Sequence, residues 1–275
     1  MIFEGAKIEK KLTYIKKIAT FAKYFTLMNK NGRKVQLFVP CCMDMFTPSS
    51  AQSLVELLEK LGDTVVYKEE LTCCGFRFYN EGNADYAAAL ASKFFKEIDP
   101  DLPIIIPTAS CSGFIRQYYK VLLENMYNPV ELRNFTEQCY ELCDYLVNVK
   151  QVKKLDNHFN YRVFYFKSCS ARNLYNLGDE PEQLLRMTEG ITLLEDKDLS
   201  QLCCAANSRL PFTKPAVSDD LLSQIVSKIY EHNAQYITST DIHCLQHIDA
   251  YIQAQEHIKG LQVIPIGDIL NANLE

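Results

Sequence analysis

Apolar and polar positions change period near residue 34. Before it, Ile8, Leu12, Ile15, Ala19, Ala22 and Phe25 recur at helical spacing over residues 8–28, with lysines between them. That stripe predicts a basic amphipathic helix, and Asn31-Gly32 closes it with a turn. After it, short apolar runs alternate with helical stretches. Strands are predicted at Val35–Val39, Thr64–Tyr67 and Leu102–Ile106, and helices at Ser49–Leu61, Asn83–Ile98 and Ser112–Asn125. A further helix is expected over residues 131–150, placing Cys139 and Cys143 one turn apart on one face. The pattern then recurs, with strands at Tyr161–Phe166, Ile191–Leu194, Gln235–Thr238 and Leu261–Ile266. Its helices fall at about 179–188, 218–232, up to about Glu256, and Gly267–Leu274.

Strands joined by helices imply an α/β fold, with parallel strands and crossover helices. The recurrence divides the chain into a basic segment over 1–33, a first βαβ-type repeat over 34–150 and a second over 151–275. With 48% hydrophobic and 23% charged residues, there is ample material for a core. No run of 18 apolar residues predicts a membrane span, and the polar N-terminus has no secretory leader pattern. Net charge is -5, yet residues 1–34 hold nine Lys/Arg against two acids, a net of +7, which leaves -12 for the body. An acidic body argues against nucleic acid as a partner. The basic helix is expected to pack on its own domain or on a partner, with peripheral contact to an anionic membrane as the alternative.

Eleven cysteines without a leader fit a reducing compartment, where thiols bind metal or do redox work. Eight of them fall into register. Cys41, Cys73-Cys74 and Cys111 form one set; Cys169, Cys203-Cys204 and Cys244 form the other. The offsets between corresponding cysteines are 128, 130 and 133 residues. Each cysteine is expected just after a strand, and ligands of open α/β sheets bind beyond strand C-terminal ends. Adjacent cysteines are poorly placed to bond each other but can point two thiolates at one centre. Four thiolates suit an iron–sulfur cluster or a closed zinc site, and not magnesium or calcium. No Ser/His/Asp arrangement, P-loop or dinucleotide fingerprint is present.

The motifs Phe38-Val39-Pro40-Cys41-Cys42-Met43-Asp44-Met45-Phe46, Cys73-Cys74-Gly75-Phe76-Arg77-Phe78-Tyr79-Asn80-Glu81-Gly82 and Ser110-Cys111 resemble the cysteine-rich CCG-domain family. That family includes the cysteine-rich component of heterodisulfide reductase and the glycolate-oxidase iron–sulfur subunit. The likeness, over residues 34–273, is strongest to the lactate-utilisation protein A branch. It implies a cytoplasmic oxidoreductase subunit that needs other iron–sulfur subunits, with [4Fe-4S] chemistry for oxidation of L-lactate or a similar 2-hydroxy acid. The implied ligands are Cys41, Cys73, Cys74 and Cys111, and then Cys169, Cys203, Cys204 and Cys244, for one or two clusters. If only one set holds a cluster, the first is expected to. Departures from the family pattern are Ala205 in place of the glycine of the second CCG, and Thr108 and Asp241 where the family carries a further cysteine. They motivate one alternative, a zinc-binding scaffold without redox activity, with zinc at the second site; the resemblance to heterodisulfide reductase allows another, a thiol–disulfide enzyme subunit of that kind. Around these sets, His243 and His247 can complete a Cys/His zinc site, or cap and pack at the surface. Arg77 and Arg116 can hold a carboxylate or pair with acids of the body. Asp44 and Asn80 can support a cluster through hydrogen bonds, and Cys42 can stand in for the missing cysteine.

Overall fold

The computed structural model describes residues 32–196 and 198–274; the expected helix over 8–28 lies outside the described residues. Two four-stranded parallel sheets carry the chain. The first joins β1 (Arg33–Leu37), β2 (Asp63–Tyr67), β3 (Ile104–Ile106) and β4 (Cys139–Glu141) in the order β2-β1-β3-β4. A two-residue β5 (His158–Phe159) precedes the second sheet. That sheet joins β6 (Arg162–Tyr165), β7 (Thr192–Leu194), β8 (Tyr236–Ser239) and β9 (Gln262–Pro265) in the order β7-β6-β8-β9. A short β10 (Asn273–Leu274) returns to pair with β5. The α/β architecture and its twofold repetition are therefore those the hydrophobic pattern implies.

Local sequence explains the elements. Ile104, Ile105 and Ile106 are all buried, as a strand covered on both faces requires. Pro48 opens the Pro48–Lys60 helix, where its missing N–H costs nothing. Asn83 caps the Ala84–Glu97 helix by accepting from the Tyr86 N–H. The largest departure from expectation is at residues 131–150. The helix there ends at Glu137, Cys139–Glu141 becomes β4, and helical turns resume at Leu142. Parallel pairing with β3 overrode helical propensity, and Cys139 and Cys143 consequently share no helix face. The region after Pro40 also differs: β1 stops at Leu37, and Cys41–Phe46 is a short helix rather than a strand continuation.

One continuous core joins both repeats, running from Val35 and Leu54 to Ile237 and Ile269. The repeats also meet through backbone. The Ala109 N–H donates to the Thr240 carbonyl at 2.8 Å, and the Ile242 N–H donates to Thr108 Oγ1 at 3.3 Å. Gly113 on the Ala109–Leu122 helix lies so close to Leu174 and Tyr175 that an added Cβ would sit 2.9 Å from their backbone. The Ile266–Leu270 helix crosses back onto Pro48–Lys60, where Ser50 Oγ donates to Asp268 Oδ2 at 2.6 Å. No helix among the described residues is long and apolar enough to cross a membrane.

Candidate metal centre

Strand order places the cysteines. In each sheet the first strand of the repeat, β1 or β6, lies between the two that follow it. The chain thus reverses direction across the sheet at β1/β3 and at β6/β8, and such switch points open a crevice at the strand ends. Cys41 and Cys111 follow β1 and β3, Cys169 and Cys244 follow β6 and β8, and the CC pairs follow β2 and β7.

All eight predicted residues come together in their two sets. In the first, Cys41 and Cys73 sulfurs are 3.9 Å apart, and Cys74 donates to Cys111 at 3.0 Å. In the second, Cys169 and Cys203 are 3.2 Å apart, and Cys204 bonds Cys244. The exposure pattern is shared: Cys74, Cys111, Cys204 and Cys244 are buried, whereas Cys41, Cys73, Cys169 and Cys203 reach solvent. Beside each CC pair a backbone N–H, of Gly75 or Ala205, donates to the first sulfur of the pair at 3.4 Å. Both of those residues have positive φ, +89° and +63°. The turn that aims the N–H is therefore retained where glycine has been lost.

Sulfur contacts set the charge. The bond from Cys41 holds the Cys73 thiol down at about 3 and pushes Cys41 up in return. Cys169 likewise lowers Cys203 to about 7, and Cys244 lowers Cys204 to about 6 despite burial. Thiolate is the form that binds metal. Four sulfur donors per set and an N–H aimed at sulfur match the requirements of an iron–sulfur cluster. Among the described residues, no group of three or more His, Cys, Asp or Glu is arranged around a single metal-ion position.

The remaining candidates separate. His243 and His247 both line a pocket beside Phe212 but approach different cysteine sets. His243 crosses to the first set and lines its cleft with Cys41, Cys73, Cys74 and Cys111, while His247 stays beside Cys204. The His243 Nδ1 lies 3.5 Å from Asp241 Oδ1, 3.4 Å from Ser110 Oγ and 3.9 Å from Cys42 Sγ. Cys42 is buried and burial lifts it to about 12. Cys139 donates to the Phe135 carbonyl, and Cys143 is buried in the main core. Arg77 lines the cleft, but Arg116 is held elsewhere by Asp144 and the Tyr175 hydroxyl. Asn80 donates to the Asn207 carbonyl at 2.8 Å and so ties the repeats together. Asp44 acts on Tyr67 by its charge.

Sequence reasoning missed Asn207, Arg209 and Phe212, which bring the second repeat into the first cleft. One signal was available: in both copies an arginine follows the CC pair within five residues, as Arg77 and as Arg209.

Lactate utilization protein A of Geobacillus sp. (strain WCH70) is 26% identical over 87% of this chain and 99% of its own length. The protein of that name from Geobacillus kaustophilus is 28% identical over the same shares. Lactate utilization protein A 2 of Bacillus cereus (strain Q1) is 26% identical over 88% of this chain and 99% of its own length. A crystal structure of a hypothetical protein from Helicobacter pylori superimposes with a TM-score of 0.58 at 12% identity, over 91% of this chain. This chain spans about half, 53%, of that protein's length, and the likeness is one of fold. The CCG cysteine-rich domain matches residues 35–116 and 163–249, and the chain belongs to that family.

Proposed function

We propose that this protein is an iron–sulfur-binding subunit of a lactate-utilisation system, passing electrons between a 2-hydroxy acid and companion subunits. The observation that carries the reading is the repeated set of four sulfurs at a sheet switch point, each with an N–H aimed at a thiolate. Cys41, Cys73, Cys74 and Cys111 would hold one [4Fe-4S] cluster within the repeat 34–150. Cys169, Cys203, Cys204 and Cys244 would hold a second within 151–275. A cluster there would accept and release single electrons.

The chain's own residues prepare that chemistry. The Cys41–Cys73 contact keeps one sulfur ionised ahead of metal binding. Gly75 and Ala205 steady the ionised sulfur, and N–H···S bonds of this kind favour the more reduced state of a cluster. The half-exposed sulfurs of each set leave a face open toward a partner. The names of the relatives point to lactate, a reducing compartment suits ionised thiols, and the cytoplasm is the location that follows.

Anaerobic purification with iron and acid-labile sulfide analysis tests the assignment. Brown protein with about four of each per set supports it. Colourless protein with stoichiometric zinc would overturn it in favour of a scaffold.

A further inference from the structure

The relatives' names give a process but no binding position, and neither cysteine set by itself recognises an acid. The cleft over the first set is lined by two arginines. It has the first four cysteines in its wall, and the second repeat lines its opposite side through Asn207, Arg209, Phe212 and His243. We propose that this cleft binds the carboxylate of a small 2-hydroxy acid through Arg77 and Arg209, with its hydroxyl directed to His243. The proposal rests on the lactate-utilisation reading above and names where this chain would meet its substrate.

Three observations support it. First, the cleft holds two guanidinium groups against one carboxylate, Glu81. Glu81 takes only the Nε of Arg77, at 3.1 Å, and Arg77 is steadied by stacking over Phe212, 5.0 Å from the ring centre. Both terminal nitrogens of Arg77 remain for a ligand. Arg209 makes no side-chain ion pair or hydrogen bond with any described residue. Arg77 and Arg209 both line the cleft, and a planar guanidinium fork selects a carboxylate by paired hydrogen bonds.

Second, His243 presents a defined nitrogen. Asp241, Ser110 and Cys42 all lie against Nδ1, which leaves Nε2 for a group in the cleft. Third, the wall is built and not incidental. Asn80 on the first repeat bonds the backbone of Asn207 on the second, and Asn207 Nδ2 bonds Asp241 and Ser170. The segment carrying Arg209 is thereby fixed opposite Arg77. Cys41 and Cys73 line the same cleft, so a ligand held at these points would lie over a cluster carried by the first set.

The test is calorimetric titration of the full iron-loaded chain with L-lactate under anaerobic conditions. Propionate, which lacks the hydroxyl, and inorganic phosphate are the comparison ligands. Iron content is measured on every sample. Arg209→Gln and Arg77→Gln are each expected to weaken L-lactate at least about tenfold, the scale of a lost charge-assisted pair, with iron unchanged. Propionate and phosphate should bind more weakly than L-lactate. Arg77 sits on an exposed helix, so Arg77→Gln carries the test if Arg209→Gln fails to fold. L-lactate that does not bind the wild-type chain would overturn the proposal. So would variants that bind like wild type, or phosphate or propionate that binds equally well. The two readings fail separately: normal iron without lactate binding removes the cleft, whereas lactate binding without iron removes the cluster.

Discussion

The two repeats share a backbone and differ in what they hang on it. Both sheets have the same strand order, both CC pairs are followed by a residue with positive φ, and both receive an N–H···S bond of 3.4 Å. Chemistry diverges at equivalent points. Gly75 is matched by Ala205, and Ser110 by His243. Glu141, which ends β4 and accepts from two N–H groups of the turn after it, is matched by Pro265, which ends β9 and opens the next helix without a side-chain cap. The comparison teaches that the sulfur scaffold tolerates little variation while its surroundings vary freely. A sulfur-binding turn is fixed by hydrogen bonds from the main chain, and many side chains satisfy it.

Cutting one sulfur from each set gives the sharpest reading of whether the two are equivalent. Cys74→Ser and Cys204→Ser should each remove about half of the iron and acid-labile sulfide, measured on anaerobically purified chain. Complete loss with Cys74→Ser and none with Cys204→Ser would restrict the cluster to the first repeat. Next in size is the seam between the repeats. Gly113→Ala forces a methyl against the Leu174–Tyr175 backbone and should cost about 3 kcal/mol in urea unfolding. A change within about 0.5 kcal/mol would show that the seam yields.

The Glu141/Pro265 contrast predicts a pH effect. Burial lifts the Glu141 carboxyl from 4.5 to about 8, although it accepts from the Cys143 and Asp144 N–H groups. Its other oxygen has no partner. The raised acid stays neutral in the folded protein below about pH 8, so the contribution of Glu141 to stability is fully present below pH 4.5 and is lost as pH rises from there to about 8. Glu141→Gln should remove that loss and gain about 2 kcal/mol at pH 8. Equal slopes for variant and wild type between pH 5 and 8 would refute this.

The smallest effects should have opposite signs in the two repeats. Gly75→Ala places a Cβ 3.1 Å from the Ala87 carbonyl oxygen at φ +89° and should lose about 2 kcal/mol. Ala205→Gly relieves left-handed strain at φ +63° and should gain about 0.5–1 kcal/mol. Thermal melts of both variants that shifted the same way would show that the two turns are not equivalent.

Much of this was legible because cysteine register and strand periodicity are both local. The alternation of apolar runs placed every strand but β4 among the eight of the two sheets, and the offsets of 128, 130 and 133 paired the cysteines before any geometry was known. What stayed hidden depends on contacts across more than a hundred residues, or on pairing that no local pattern marks. Cys139 carries no local mark of a strand and becomes one by pairing with Ile104. His243 neighbours Cys244 in sequence but faces the other cysteine set, because the starts of the two equivalent helices meet at Thr108 and Thr240. Ala205 suggested a lost turn, and only its φ revealed that the turn persists.

The return of the Ile266–Leu270 helix onto Pro48–Lys60 bears on how the protein is made. A ribosome releases the first repeat well before residue 266. Until then Leu54 lacks its contact with Gly267, and Ser50 and Ser53 lack Asp268 and Asn271. The helix that follows Cys41 and Thr47 is therefore unsupported during most of synthesis. The first cysteine set reaches its final shape only when residues 266–271 have emerged. Assembly of the proposed metal centre there would accordingly follow translation, and loss of residues 266–275 should damage the site farthest from them in sequence.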